Sequence, residues 1–315
     1  MNMTRRTFLG GCASLGAVGA LNGCRFAGAS GEDPRIAVQL YSIKKYIKGI
    51  KDKNGSVVVP GVGLERALED VARIGYKGVE FAGYYGFSAR DIRRMLDNAG
   101  LVACGSHVGN WHAIEGDNLK RLAEFNQEIG SSVMICPHGT GPDDHDWRDP
   151  TWTESCERHM PFITDFFNQA TEKAKAYGCR VGIHNHDWEF LLKDRNGVSF
   201  WDRFLSRTTD DVLMEQDVGW TTCAGRDPCT EFGKYPNRSP TLHAKENGMG
   251  KNVTRFDGIL GQPGLPDARP VDWQSLRTVA TENGTKWWVV ECEAHFEDLS
   301  AITPSYRFLT SKIFV

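Results

Sequence analysis

Several absences narrow the reading before any motif is considered. No apolar run of the mature chain is long enough for a membrane-spanning helix, which needs about 20 residues. There is no surplus of positive charge: 37 Lys and Arg against 40 Asp and Glu leave a net charge of −3, which argues against a nucleic-acid binder relying on bulk charge. There is also no cysteine framework, although the chain has nine cysteines. Two of them lie in the N-terminal leader; the others are Cys104, Cys136, Cys156, Cys179, Cys223, Cys229 and Cys292, an odd set without a CxxC pair. Most sit in or beside apolar strand-like runs, where cysteine behaves as a small buried residue. A bridge between Cys223 and Cys229 stays open. Internal repeats are absent, and so are low-complexity segments outside the leader.

The leader stands apart from the rest. Thr4–Leu9 (TRRTFL) is a twin-arginine export pattern followed by a small, mildly apolar run. Leu21-Asn22-Gly23-Cys24 resembles a lipobox, with Cys24 as the lipidated residue; ordinary cleavage after Ala27-Gly28-Ala29 is the alternative. Residues 1–30 are therefore expected to be a leader and residues 31–315 a single folded domain, delivered to the periplasm or anchored to a membrane. The twin-arginine route carries folded proteins, which suits an enzyme that loads a metal before export.

What is present in the mature chain is an alternation of short apolar runs and helix-length amphipathic runs. Strands are expected at 35–40, 78–81, 101–107, 132–137, 180–184, 212–217, 241–245 and 286–293. Helices are expected at 64–74, 88–98, 118–129, 154–177, 200–206, 227–235, 273–283 and 301–313, several of them stopped by a glycine. A small hairpin is expected at Asn54-Gly55. Eight nearly continuous apolar strands, each followed by a helix or a helix-length gap, are the pattern of an α/β (β/α)8 barrel. An open doubly wound sheet should carry a Gly-rich phosphate loop after its first strand, and Gln39-Leu40-Tyr41-Ser42 is not one. The Gly- and Pro-rich loop from Asn247 to Val271 is expected to cover the barrel mouth.

Chemistry in such a barrel sits at the C-terminal ends of the strands. Those ends supply Gln39, Glu80, His107, His138, His184 and His186, Glu215 and Asp217, His243 and Lys245, and Glu291 and Glu293. The last four strands each contribute a pair spaced by two, so both members of a pair face the same way. His184 and His186 are expected to stand roughly 6.6 Å apart along their strand. Carboxylates and imidazoles crowded at one mouth repel and desolvate badly without a cation. A divalent ion resolves that conflict, and oxygen and imidazole donors without thiolate favour Mn2+, Mg2+, Co2+ or Zn2+. Taken singly, His138 fits a solvated loop and Trp220 fits core packing.

Four stretches carry a resemblance: HNHDWEF at His184–Phe190, EQDVGW at Glu215–Trp220, HAKE at His243–Glu246 and VECE at Val290–Glu293. From about Arg35 onward the chain resembles the xylose-isomerase-like TIM barrels, grouped as sugar phosphate isomerases and epimerases, and most of all an exported group with HNHxxEF after strand five. The resemblance implies one divalent metal held by Glu, Asp, His and Glu from strands five to eight. Asp217, His243 and Glu291 match the last three places, and His184 stands where the first Glu is usual. Glu189 and Glu215 are the alternatives to His184.

The resemblance further implies enediolate chemistry on a keto-sugar or related polyol, either isomerisation and epimerisation or lyase and hydratase action on 3-keto glycosides. A metal on two adjacent oxygens of a hydroxy-ketone acidifies the carbon-bound proton between them. His186, Glu189 and Glu291 are the expected proton carriers, and Lys245 is expected to polarise a substrate oxygen. Glu80, His107 and Glu293 are expected to bind substrate, and Trp220 to stack on a sugar face. The partner is a small sugar and no nucleic acid; an oligomer is compatible with the sequence. The competing readings are a metal-dependent endonuclease or phosphodiesterase of the same superfamily and a non-catalytic sugar-binding lipoprotein.

Overall fold

In the computed structural model, which describes residues 35–146, 148–247, 258–262, 270–293 and 296–315, a parallel sheet closes on itself. Its strands are β1 (Arg35–Gln39), β2 (Gly78–Ala82), β3 (Val102–His107), β4 (Val133–Cys136), β5 (Arg180–His184), β6 (Leu213–Asp217), β7 (Thr241–Ala244) and β8 (Trp287–Val290). Each strand pairs in parallel with its neighbour in sequence, and β1 pairs with both β2 and β8 to close the barrel. The (β/α)8 expectation holds. The leader at residues 1–30, with its lipobox at Cys24, lies outside the described residues, as does most of the loop expected over the mouth.

The helices form where periodicity and caps agree. Leu64–Ile74 buries Leu64, Ala67, Leu68 and Val71 at helical spacing against the sheet. Gly75 ends it at φ +121°, and a Cβ there would fall 2.6 Å from the Tyr306 hydroxyl, so only glycine suits the position. The Ser88 hydroxyl accepts from Asp91 N at 3.2 Å to start Ala89–Ala99, and left-handed Gly100 stops it. Thr153 caps the long helix Glu154–Lys175 in the same way. The hairpin forms as expected, pairing Gly49–Lys51 with Val57–Pro60. Cys223 and Cys229 are both free thiols, so the bridge left open for them is not made. The helical turn Trp188–Leu191 was not foreseen, because it is too short to show a period.

Two apolar layers result from alternation along the strands. Ile36 and Val38 join the main core between sheet and helices, whereas Ala37 packs inside the barrel with Cys104 and Val289. Val133, Ile135 and Leu213 form a second small cluster. Because alternation turns them to the opposite face from Met134 and Met214 of the main core, they too belong to the barrel floor.

β3 breaks that alternation. Its register with β2 shifts between Val79 and Glu80, so that Val79 pairs with Ala103 and Glu80 with Gly105. Cys104 packs inward, and strict alternation from it would send Ser106 inward and His107 out. The bulge reverses the phase: His107 reaches the carboxylates of β2 and β6, while Ser106 turns to Tyr84 behind the sheet. Gly105 is the residue that permits this, since a Cβ there would stand 2.5 Å from Glu80 Oε1.

Candidate functional site

Toward the C-terminal rim the inward positions change from apolar to ionisable. β2 contributes Glu80, β3 His107, β5 His184, β6 Glu215 and Asp217, and β7 His243. His186, Lys245, Glu291 and Glu293 follow just beyond the ends of β5, β7 and β8. The register sets His184 beside Glu215 and Asp217 beside His243 on adjacent strands.

The side chains fall into two layers. Nearer the rim, His184 Nε2 lies 3.7 Å from Asp217 Oδ2, and His243 Nδ1 lies 2.9 Å from Glu291 Oε2 and 3.8 Å from Asp217 Oδ2. Beneath them, Glu215 Oε2 lies 3.4 Å from His184 Nδ1, 2.7 Å from His107 Nε2 and 3.3 Å from His243 Nε2. Glu80 Oε2 lies 2.6 Å from His243 Nε2 and accepts from Gln39 Nε2 at 2.8 Å. Thr241 donates to the other oxygen of Glu215 at 2.6 Å. His184 and His243 therefore straddle the layers: His184 turns Nε2 to Asp217 and Nδ1 to Glu215, and His243 turns Nδ1 to Asp217 and Glu291 and Nε2 to Glu215 and Glu80.

Four side chains at the rim fit a divalent ion. One ligand atom from each of His184, Asp217, His243 and Glu291 lies within 4.8 Å of all the others, and all four residues are buried. The 3.7 and 3.8 Å separations are too long for hydrogen bonds. Two ligands of one ion, each about 2.1 Å from it, stand at most about 4.2 Å apart. A second convergence, of His107, His184, Glu215 and His243, shares both imidazoles with the first.

The electrostatics of the cluster are dominated by its acids. Among the described residues, Asp217, Glu291 and Glu293 face one ammonium, that of Lys245, while Glu80 and Glu215 face His243. Lys245 Nζ lies 2.9 Å from Asp217 Oδ2, 2.8 Å from Glu291 Oε2 and 2.5 Å from Glu293 Oε1. Burial would lower the Lys245 pKa, but these three carboxylates outweigh it and hold the ammonium charged. Burial and the neighbouring Glu215 push Glu80 up to about 7. Burial holds His184 well below the usual imidazole value, which keeps it neutral and suited to ligation. His243 is also desolvated, yet Glu215, Glu291 and Glu80 raise it well above that value. The five acids of the cluster thus outnumber the groups held toward a positive charge among them, Lys245, His243 and His107, and a divalent cation would offset the remainder.

The cluster is accessible from a cavity of about 500 Å3 at the rim, whose lining includes His107, His138, His184, His186, Glu291 and Glu293. His186 sits between His184 and Trp220, with ring centroids 5.1 and 5.2 Å away. Trp220 Nε1 donates to Glu293 at 3.3 Å.

Three residues with expected roles at the substrate are buried away from this cavity. Glu80 is fully buried and does not line the cavity; its carboxylate lies against His243 Nε2 at 2.6 Å. Glu189 is fully buried as well; its carboxylate accepts from the His186 backbone N at 2.7 Å and does not line the cavity. Lys245 is buried behind Asp217, Glu291 and Glu293, pairs with all three, and does not line the cavity. Glu215, the other alternative to His184, stands on the opposite nitrogen of that ring.

Asn185 was passed over in the sequence. Its side-chain oxygen accepts from Asp217 N at 3.0 Å and its amide donates to Asp217 O at 3.2 Å, tying β5 to β6 behind the site. Its place between two inward histidines, which turns it to the opposite face, was the available signal.

Comparison with known proteins agrees with this picture. A family model described as a xylose isomerase-like TIM barrel matches residues 68–311. The rhizopine catabolism protein MocC of Rhizobium meliloti is 26% identical over 292 residues, covering 83% of this chain and 85% of that protein. An inosose dehydratase of Clostridium beijerinckii is 21% identical over 252 residues, covering 73% and 82%. Among solved structures, a sugar phosphate isomerase/epimerase from Parabacteroides distasonis superposes with a TM-score of 0.66 at 22% identity, covering 90% of this chain and 99% of that one. A 3-keto-D-glucoside 4-epimerase from E. coli does so with a TM-score of 0.58 at 13% identity, covering 89% and 100%. These two structures show the shared fold.

Proposed function

The chain belongs to the xylose isomerase-like TIM-barrel family, and from that premise we propose that it is a divalent-metal-dependent enzyme that enolises a keto-sugar or keto-polyol. The observation that carries this reading is the convergence of His184, Asp217, His243 and Glu291 beneath an open cavity. Among its relatives are one named an inosose dehydratase and one named for rhizopine catabolism.

His184, Asp217, His243 and Glu291 would hold the ion. When bound, it supplies Lewis acidity that lowers the pKa of a carbon-bound proton beside a carbonyl and stabilises the charge that develops. The remaining steps belong to the chain. In this reading His186, which lines the cavity beside this set, takes the proton from carbon and returns it. Glu293, also at the cavity wall and held by Lys245 and Trp220, would accept from substrate hydroxyls. His107 offers a second hydroxyl contact from β3. Return of the proton to the other face gives an epimer, and return to the neighbouring carbon gives an isomer. Loss of a β-hydroxyl, which leaves as water after taking a proton, gives dehydration. The relatives' names favour the last outcome. The leader expected at Thr4–Cys24 would place this chemistry outside the cytoplasm.

The test is solvent-deuterium exchange into scyllo-inosose and methyl 3-keto-glucoside, followed by NMR. Exchange that a chelator abolishes and Mn2+ or Co2+ restores is the expected result. No exchange into either compound by metal-loaded protein overturns the reading. More than one bound ion per chain would favour the nuclease-like alternative.

A further inference from the structure

Between β1 and the helix Leu64–Ile74 the chain leaves the barrel as the hairpin of Gly49–Lys51 and Val57–Pro60. These two strands form a sheet of their own, and among the described residues neither outer edge has a partner strand. Val62 N donates to Tyr46 O at 2.9 Å and Gly63 N to Ile47 O at 3.1 Å, so the two arms stay joined down to the start of the helix. Every residue from Lys51 to Pro60 is exposed. Val57, Val58 and Val59 are 56%, 58% and 49% exposed. Valine favours strands because it packs against neighbours on a half-buried sheet, and here three in a row stand in solvent. A hairpin alone is marginal in water, and an exposed apolar edge is a template for a further strand. Residues 54–63 contain no charged side chain, so the run lacks the charge that commonly blunts such an edge.

We propose that the strand Val57–Pro60 pairs antiparallel with the same strand of a second copy of this chain, joining the two hairpins into one sheet across a two-fold axis. Such a contact needs a surface complementary to itself, and this run meets that need. Val58 has no opposite number in its own hairpin, where the register shifts between Ile50 and Lys51. With the axis at Val58, Val58 stands opposite Val58 and Val57 opposite Val59, so valine meets valine and no like charges oppose. The antiparallel direction carries the turn of each copy toward the other copy's entry to the helix Leu64–Ile74. That turn presents Lys51 and Lys53, because Asp52 is occupied in accepting from Asn54 N at 2.8 Å and Ser56 N at 2.9 Å. The helix presents Glu65 in its first turn and Glu69 one turn on, both about half exposed. A basic turn thus meets an acidic helix start at each end of the pair. The occupant is a strand and not a lipid surface, since the N–H and C=O groups of the open edge would go unpaired in lipid, whereas a second strand bonds them.

The experiment is sedimentation velocity of the full-length protein from about 1 to 100 µM. A reversible dimer with a dissociation constant on the order of 10 µM is expected, because a strand pair is a small interface. Val58→Lys and Val58→Asp each set like charges against one another across the axis, and each is expected to raise that constant about tenfold. Position 58 is exposed, so both variants are expected to keep the wild-type circular dichroism. An equal mixture of the two is expected to return to within about threefold of wild type as a mixed dimer, which only the pairing of residue 58 with itself would give. A wild-type monomer throughout the range, a dimer that neither variant weakens, or a mixture no tighter than its components overturns the proposal. A monomer that binds phosphatidylglycerol vesicles and loses them in Val58→Asp also overturns it, and makes the hairpin a lipid contact.

Discussion

His243 is gripped at both ring nitrogens by carboxylates from different strands: Nε2 lies 2.6 Å from Glu80 on β2, and Nδ1 lies 2.9 Å from Glu291 beyond β8. If Nδ1 is the ligating atom, Glu80 accepts the N–H on the far side and fixes the tautomer, the role outer carboxylates play behind metal-bound histidines. Glu80→Leu should then weaken Co2+ binding about 10- to 100-fold, read from the visible absorption of the Co2+ protein. Glu80→Gln, which still accepts a hydrogen bond, should recover most of that loss. Equal Co2+ affinity in all three proteins would show that Glu80 does not position the ring.

Asp217 has two jobs that a pair of substitutions separates. One oxygen accepts from Trp220 N at 2.9 Å and caps the helix Val218–Cys223, and the other faces the imidazoles and Lys245. Asp217→Asn keeps the cap and should abolish tight metal retention and turnover while the far-UV circular dichroism stays that of the wild type. Asp217→Ala should lose the cap as well, at about 1 kcal/mol. Turnover retained in either variant would count against Asp217 as a ligand.

Lys245 is buried among three acids, so removing its charge should be costly when no cation replaces it. Lys245→Met should destabilise chelator-treated protein by roughly 3–5 kcal/mol in urea unfolding. Saturating Mn2+ should narrow the gap to wild type, because the ion neutralises the same carboxylates. A gap that is unchanged by Mn2+ would mean that the ion does not sit among them.

Gly105 should tolerate no side chain. Its Cβ position lies 2.5 Å from Glu80 Oε1 in a buried, bulged strand. Gly105→Ala should cost about 1–3 kcal/mol of stability, as overpacking does, and the urea midpoint measures it. A wild-type midpoint would show that β2 and β3 move apart freely there.

Away from the site, Asp202 predicts an acid limb in stability. Burial alone would raise its pKa, but the Ser199 hydroxyl, Lys234 and Arg226 outweigh burial and hold it below the ordinary value. A folded-state pKa below the unfolded one adds stability above the unfolded value, near about 3.9, and loses it as pH falls through the folded one. Asp202→Asn should therefore be less stable than wild type at neutral pH, with the gap closing below about pH 4. A gap of the same size at both ends of that range would contradict the assignment.

Much of the barrel was legible because each strand is a short apolar run between glycine-stopped amphipathic segments. The rim was legible for a related reason. His184/His186, Glu215/Asp217, His243/Lys245 and Glu291/Glu293 are spaced by two, and period-two geometry carries both members of a pair to one face. His107 was legible as a strand-end residue, but the way it reaches the site was not: the bulge at Cys104–Gly105 reverses the phase of β3.

The linear order of residues therefore determined which chemical groups are available at the mouth of the barrel, since alternation and caps act within a few residues. Depth was decided by tertiary structure alone. Glu80, Glu189 and Lys245 share the pattern of substrate-facing residues, yet closure of the barrel leaves them behind the imidazoles and carboxylates that face the cavity. Spacing along a strand reports a face; how far below the rim a side chain ends depends on the stagger between strands remote in sequence.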